Sequence, residues 1–167
     1  ALWNTLFFAV VSVFLQVVLG LGFAMVLNAQ FPGRRFARAA NLIPLVIALT
    51  VASQLWKWMY HDVSGVVNDI LLRVGVLDRP MAWLDNPSTA MWAVIAMATW
   101  KFVPFVTILL LAAMQSIPAE LYEAAGIDGA GPVQKFRHVT LPMLKGAIGV
   151  VRVLRMLDAL RVLDIMY

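Results

Sequence analysis

Residues 6–27 form an unbroken run of twenty-two residues whose only markedly polar side chains are Ser12 and Gln16. As a helix rising ~1.5 Å per residue, such a run is long enough to cross a hydrocarbon core of about 30 Å. Lipid offers no water to backbone amides and carbonyls, so a chain built there must be helical or a closed barrel. The composition agrees, with 62% hydrophobic and 13% charged residues, against about 45–50% and about 25% in ordinary soluble domains. Four runs of spanning length fit into 167 residues, and the chain is best counted in spans. The sequence has no cysteine, which excludes disulfide frameworks, thiolate metal sites and cysteine nucleophiles. Its formal net charge of +4 is concentrated in particular loops, unlike the continuous basic face of a nucleic-acid binder, and no nucleic-acid partner is expected.

The second span is expected over residues 39–59, with Pro44 as its kink and Trp56, Lys57 and Trp58 at its far end in an interfacial belt. The third is expected over 90–114 with Lys101 and Pro104 near its middle, and the fourth over 143–167. Basic loops are retained on the cytoplasmic side. Arg34, Arg35 and Arg38 therefore place the first connection inside, and Lys135, Arg137 and Lys145 place the third there too. The connection 60–88 carries Asp62, Asp69, Asp78 and Asp85 against Arg73 and Arg79, so it belongs outside. Within it, Val66, Val67, Ile70, Leu71 and Val74 have the spacing of a short amphipathic helix lying along the membrane surface. Asn86 and Ser88 are candidate caps for the third span. An opening at Ala1 without a basic leader region argues against a signal peptide. That opening, and a close at Tyr167 inside a helical pattern, lead us to expect a piece of a longer protein.

The connection 116–142 is too polar to span, yet it is rich in helix signals. Pro118 suits a first turn, AELYEAAG contains strong helix formers, and Gly126, Gly129 and Gly131 are expected to form a flexible stop. A second short helix can run from Pro132 to His138. Glu123, Ala124, Ala125, Gly129, Val139, Leu141 and Pro142 fall in the spacing E-A-A, three residues, G, nine residues, I, one residue, L-P, with Val139 at the isoleucine position. This segment resembles the EAA loop of ABC importer permeases. The wider wording, IPAELYEAAGIDGAG and FRHVTLP with NTLFFAVVS, GRRFARAANLIP, LWKWMY and ALRVLDIMY, resembles the carbohydrate-uptake subfamily that includes the maltose and glycerol-3-phosphate permeases.

The resemblance implies an all-α, polytopic integral membrane bundle in a bacterial inner membrane, forming one importer-type transmembrane domain that is incomplete here. It implies a sugar or sugar-like solute. The implied partners are a second permease, an ATPase dimer gripping the loop, and an extracytoplasmic solute-binding protein. ATP and Mg would be bound by the ATPase partner, with no cofactor on this chain, which would not itself be an enzyme. No G-x-x-x-x-G-K-[ST] loop is present. The sequence departs from the family at Gly146, where relatives usually have Pro, and at Arg152, where they have an apolar residue. It also lacks the usual first and last spans.

Ionisable groups at membrane depth usually face a bundle interior or an aqueous cavity. Trp100, Lys101, Phe102, Arg155 and Asp158 are therefore candidates for the solute pathway, with Arg161 and Asp164 further along. Pairing of Arg155 with Asp158, Asp158 with Arg161, and Arg161 with Asp164, each three apart, is the structural alternative, and Lys101 can snorkel toward the outer surface. Trp56 and Trp58 suit interfacial anchoring as well as stacking on a sugar. A polytopic membrane enzyme is the rival class, with His61-Asp62 or Asp128 and His138 as its acid/base candidates.

Overall fold

The computed structural model describes residues 2–164, with side chains for residues 3–159. The helices are α1 (Leu2–Asn28), α2 (Arg34–Val46), α3 (Leu49–Met59), α4 (Val66–Arg73), α5 (Pro87–Gln115), α6 (Ala119–Ile127), α7 (Pro132–Lys135) and α8 (Leu141–Asp164). A π turn, Phe136–Thr140, joins α7 to α8, and no strand occurs among the described residues.

Helices α1 and α5 are each long and apolar enough to cross a membrane alone, and they form the centre of the bundle. At Gly20 an added Cβ would lie 2.6 Å from Val106 Cγ1, so the missing side chain is what lets the two backbones approach. Contacts rise together along both helices. Phe7 packs edge-on against Trp92 at 5.8 Å, Gln16 Nε2 lies 3.5 Å from the Ala98 carbonyl, and Gly20 faces Val106. Thus α1 and α5 run parallel, which requires one return crossing between them.

Helices α2 and α3 supply that return, since the Tyr60 hydroxyl at the far end of α3 donates to Ala93 O at 3.2 Å while Lys101 meets the end of α2. The crossing is not the single helix expected over 39–59. It is two helices bent by 95°, beginning at Arg34. Pro44 lies inside α2, and the break falls beyond it at Ile47 (φ −66°, ψ 129°) and Ala48 (φ −58°, ψ 144°). Proline removes the amide that would bond the Ala40 carbonyl and so weakens the last turns of α2.

The third span starts earlier than residue 90. Asn86 Oδ1 accepts from the Ser88 amide at 3.1 Å and Pro87 takes the first helical position, so Asn86 is the cap. Helix α8 packs Leu144, Ile148 and Val151 into the core formed by α1 and α5. It starts at Leu141, before the expected residue 143, because the π turn carries the helix through Pro142 without interruption. Its 24 residues have the length to span, but Lys145, Arg152, Arg155 and Asp158 keep it from matching α1 and α5 in apolarity. The tail of the fourth span beyond Asp164 and the side chains of Arg161 and Asp164 lie outside the described residues.

In the connection 60–86, α4 forms over Val66–Arg73 as expected, with Val66, Ile70 and Val74 exposed. Its inward residue is polar. Asn68 is buried and donates to the carbonyls of Asp62 (2.8 Å) and Met81 (2.9 Å), while its Oδ1 accepts from Trp83 Nε1 (2.9 Å). This amide ties both ends of the connection to one point. The local periodicity of apolar residues carried no sign of it.

Candidate functional site

The connection between α5 and α8 is an ordered helix–turn–helix. Helix α6 ends in two bonds that satisfy its last carbonyls: Gly129 N–H to Gly126 O (3.1 Å) and Ala130 N–H to Ala125 O (2.9 Å). This Schellman pattern requires a left-handed residue, and Gly129 has φ 77°. The expected flexible stop is therefore a fixed turn made by Gly129 alone, with Gly126 inside α6 and Gly131 extended ahead of α7. Next, Gln134 Oε1 reaches back to the Gly131 amide at 2.9 Å and holds the start of α7.

The second helix of the loop does not stop at His138. The π turn passes it directly into α8, with Leu141 N–H bonding Phe136 O five residues back. A wide turn suits the place just before Pro142, which has no amide to continue the ordinary ladder. Tyr122 and Thr140 bond through their hydroxyls at 2.9 Å, bracing α6 against the base of α8. Val139 and Leu141 are half-buried and pack with Tyr122 on the hydrophobic core. These contacts join α6 to the root of a long helix.

The seven expected residues divide by exposure. Glu123, Ala124, Gly129 and Pro142 are exposed, and Ala125, Val139 and Leu141 are half-buried. Beside the exposed set stand Ile127, 88% exposed, and Val133, 78% exposed. Sequence reasoning did not single out this pair. Two large apolar side chains held out from either side of a rigid turn form an apolar tip, and their signal was apolar character within a stretch otherwise too polar to span.

The five expected pathway residues fall into three groups. Trp100 packs edge-on against Trp56 at 5.7 Å and lines a cavity of about 900 Å³ between α1, α2 and α5, along with Phe23, Pro44 and Thr99. Phe102 lies under the Arg155 guanidinium, 3.8 Å from its carbon to the ring centroid. Arg155 Nε donates to Gln16 Oε1 at 2.9 Å, and its Nη1 pairs with Asp158 at 2.8 Å. The pairing alternative thus holds for Arg155 and Asp158, with Gln16 as an unforeseen third member. Lys101 does not snorkel outward. It is 5% exposed and donates to the carbonyls of Pro44 (2.6 Å), Leu45 (3.0 Å) and Ile47. Trp56 also turns inward, between Trp100 and Tyr60, whereas Trp58 is exposed.

The acid/base candidates do not assemble. Asp62 and Ser64 both approach Nδ1 of His61 in one exposed turn, and a single ring nitrogen cannot relay a proton between them. His138 Nδ1 meets the Gln134 carbonyl. Among the described residues no group of three or more His, Asp or Glu is placed to hold a metal.

An all-helical, multi-pass membrane bundle with a braced polar loop between two long helices is the class of architecture this chain shares with the transmembrane domain of a solved transporter. More narrowly, the chain belongs to the family of binding-protein-dependent transport system inner membrane components, which it matches over residues 2–161. It is 45% identical over 163 residues to the trehalose/maltose transport system permease protein MalF of Thermococcus litoralis, covering 98% of this chain and 55% of that protein. It is 37% identical to the sulfoquinovosyl glycerol transport system permease protein SmoG of Agrobacterium fabrum, covering 99% and 53%. Among solved structures, a bacterial ABC transporter that imports the acidic polysaccharide alginate matches with a TM-score of 0.82 at 28% identity, over 97% of this chain and 57% of that one. The chain spans about half the length of the curated relatives it matches.

Proposed function

We propose that this chain is the core of a permease subunit in an ATP-binding-cassette importer for a saccharide or saccharide-like solute, working in a bacterial inner membrane. The observation that carries the reading is the loop 116–142, which combines the EAA spacing with a rigid, outward-held turn braced onto α8. In this reading the apolar tip of Ile127 and Val133, with the small Ala124 beside Glu123, seats in a cleft of a separate ATPase subunit. Closure of the ATPase pair on ATP and Mg pushes α6, and the Tyr122–Thr140 contact passes the push to α8 as rigid-body rocking. A second permease completes the solute route and an extracytoplasmic binding protein delivers the solute. One solved relative is in complex with a periplasmic protein carrying an alginate pentasaccharide, which supports this arrangement. Relatives named for trehalose, maltose and sulfoquinovosyl glycerol support the solute class. Along the route, Trp100 offers an aromatic face to the cavity, and the Phe102–Arg155–Asp158 cluster closes the bundle beside Gln16.

The test uses the complete complex in vesicles. Gly129→Val and Glu123→Arg are each expected to reduce solute uptake by at least about tenfold, or ~1.4 kcal/mol of coupling, while ATP hydrolysis continues. Undiminished uptake by both variants would overturn the docking role of the loop.

A further inference from the structure

The break between α2 and α3 leaves backbone carbonyls facing protein in the middle of a membrane crossing. Pro44 O and Leu45 O belong to the last turn of α2, where no following helical amide can reach them, and Ile47 O belongs to the extended link. Such groups need a donor where no water supplies one. Lys101 enters from α5, and its nitrogen meets all three oxygens. Three acceptors around one nitrogen match the three protons of an ammonium, whereas a neutral amine has only two to give. No carboxylate forms an ion pair with Lys101 among the described residues. The countercharge comes instead from the carbonyls themselves and from the negative end of α2. Unwound carbonyls at the end of a half-helix are the chemistry with which discontinuous transport helices hold monovalent cations.

We propose that the α2–α3 break is a carbonyl cradle for a monovalent cation and that Lys101 is its covalently tethered occupant, fixing the angle between the two half-helices and binding both to α5. Truncation to alanine removes three methylenes and the ammonium, which together have the form of propylammonium. A soluble ion of that chemistry therefore refills the vacated cradle. The inference concerns the geometry of the break, so it stands or falls independently of what the protein transports.

Spin labels at Phe36→Cys on α2 and Trp58→Cys on α3 report that geometry by pulsed electron resonance. Both positions are exposed, and this sequence contains no competing cysteine. In purified full-length protein the Lys101 parent gives one narrow distance distribution. Lys101→Ala broadens it by about twofold or more as the half-helices sample further angles. Propylammonium narrows it again, and propanol, equal in shape but uncharged, does not. A distribution as narrow as the parent's in Lys101→Ala overturns the proposal, as does a broad one that propylammonium leaves unchanged. Should Lys101→Ala fail to fold, Lys101→Gln decides the matter. Its amide retains two donors without the charge and is expected to leave the distribution broad, and a parental width would overturn the need for a cation.

Discussion

Arg155 shows how a single side chain can be both a structural tie and a charge inside a bundle. It is 3% exposed, and its guanidinium is held on three sides, by Gln16 at Nε, Asp158 at Nη1 and the Phe102 ring against its face. The three-residue spacing to Asp158 was legible in the sequence. Gln16 was not, because it lies on α1, 139 residues away. Gln16→Leu leaves a buried donor without an acceptor and is expected to lower stability by about 1–3 kcal/mol in thermal unfolding. Combining it with Arg155→Met is expected to cost less than the sum of the two single changes. Asp158→Asn should cost under about 1 kcal/mol, since that carboxylate is half-exposed. Additive losses in the double variant would contradict a direct Gln16–Arg155 tie. Tyr60, just past α3, gives a pH signature of its own. Burial pushes its phenol up to about 12 while the hydroxyl donates to Ala93 O. Its protonated form is therefore favoured by folding, so its contribution is intact below about pH 10 and is lost as pH rises toward 12. The phenolate absorbance that disappears in Tyr60→Phe is expected to emerge only in that upper window.

Whole elements were more legible than the joints between them. The apolar runs located α1 and α5, and the spacing of Val66 and Ile70 located α4, because periodicity reports how a segment meets its surroundings. The 95° break of the second crossing was hidden, since a run of apolar residues looks the same whether or not a lysine from another helix caps it midway. Pro44 drew attention to the right region but is not the hinge. The π turn was hidden for a similar reason, because one extra residue in a turn does not change which residues are apolar. The glycines of the loop separate by backbone geometry. Gly129→Ala places a side chain on a left-handed residue and is expected to cost about 1–2 kcal/mol. Gly126→Ala lies within α6, where its Cβ would meet only the movable end of Lys135, and is expected to be neutral or stabilising by up to about 1 kcal/mol. Equal losses in thermal unfolding would contradict the fixed turn described for Gly129.

At the scale of the molecule, the parallel pairing of α1 with α5 ties the topology together. It requires one return crossing, which α2 and α3 make jointly, and it puts the loop 116–142 on the same side as the Arg34–Arg38 end of α2. The basic loops had led to the same alternation from charge alone, so two independent arguments converge. The loop carrying the EAA spacing was legible because it is local in sequence, its seven expected residues all lying between Glu123 and Pro142. Of the candidate solute route only the separate members Trp100, Phe102 and Arg155 were legible, because the cluster of Phe102, Arg155 and Gln16 draws on three helices and meets only on folding. The most direct test of the account places a photo-reactive residue at Ile127 in the complete complex and illuminates it in sealed vesicles. A covalent adduct with the ATPase subunit is expected, its yield changing between nucleotide-free and ATP-bound states. Reaction at Ile127 solely with lipid, or with a reagent confined to the face that carries α4, would contradict it.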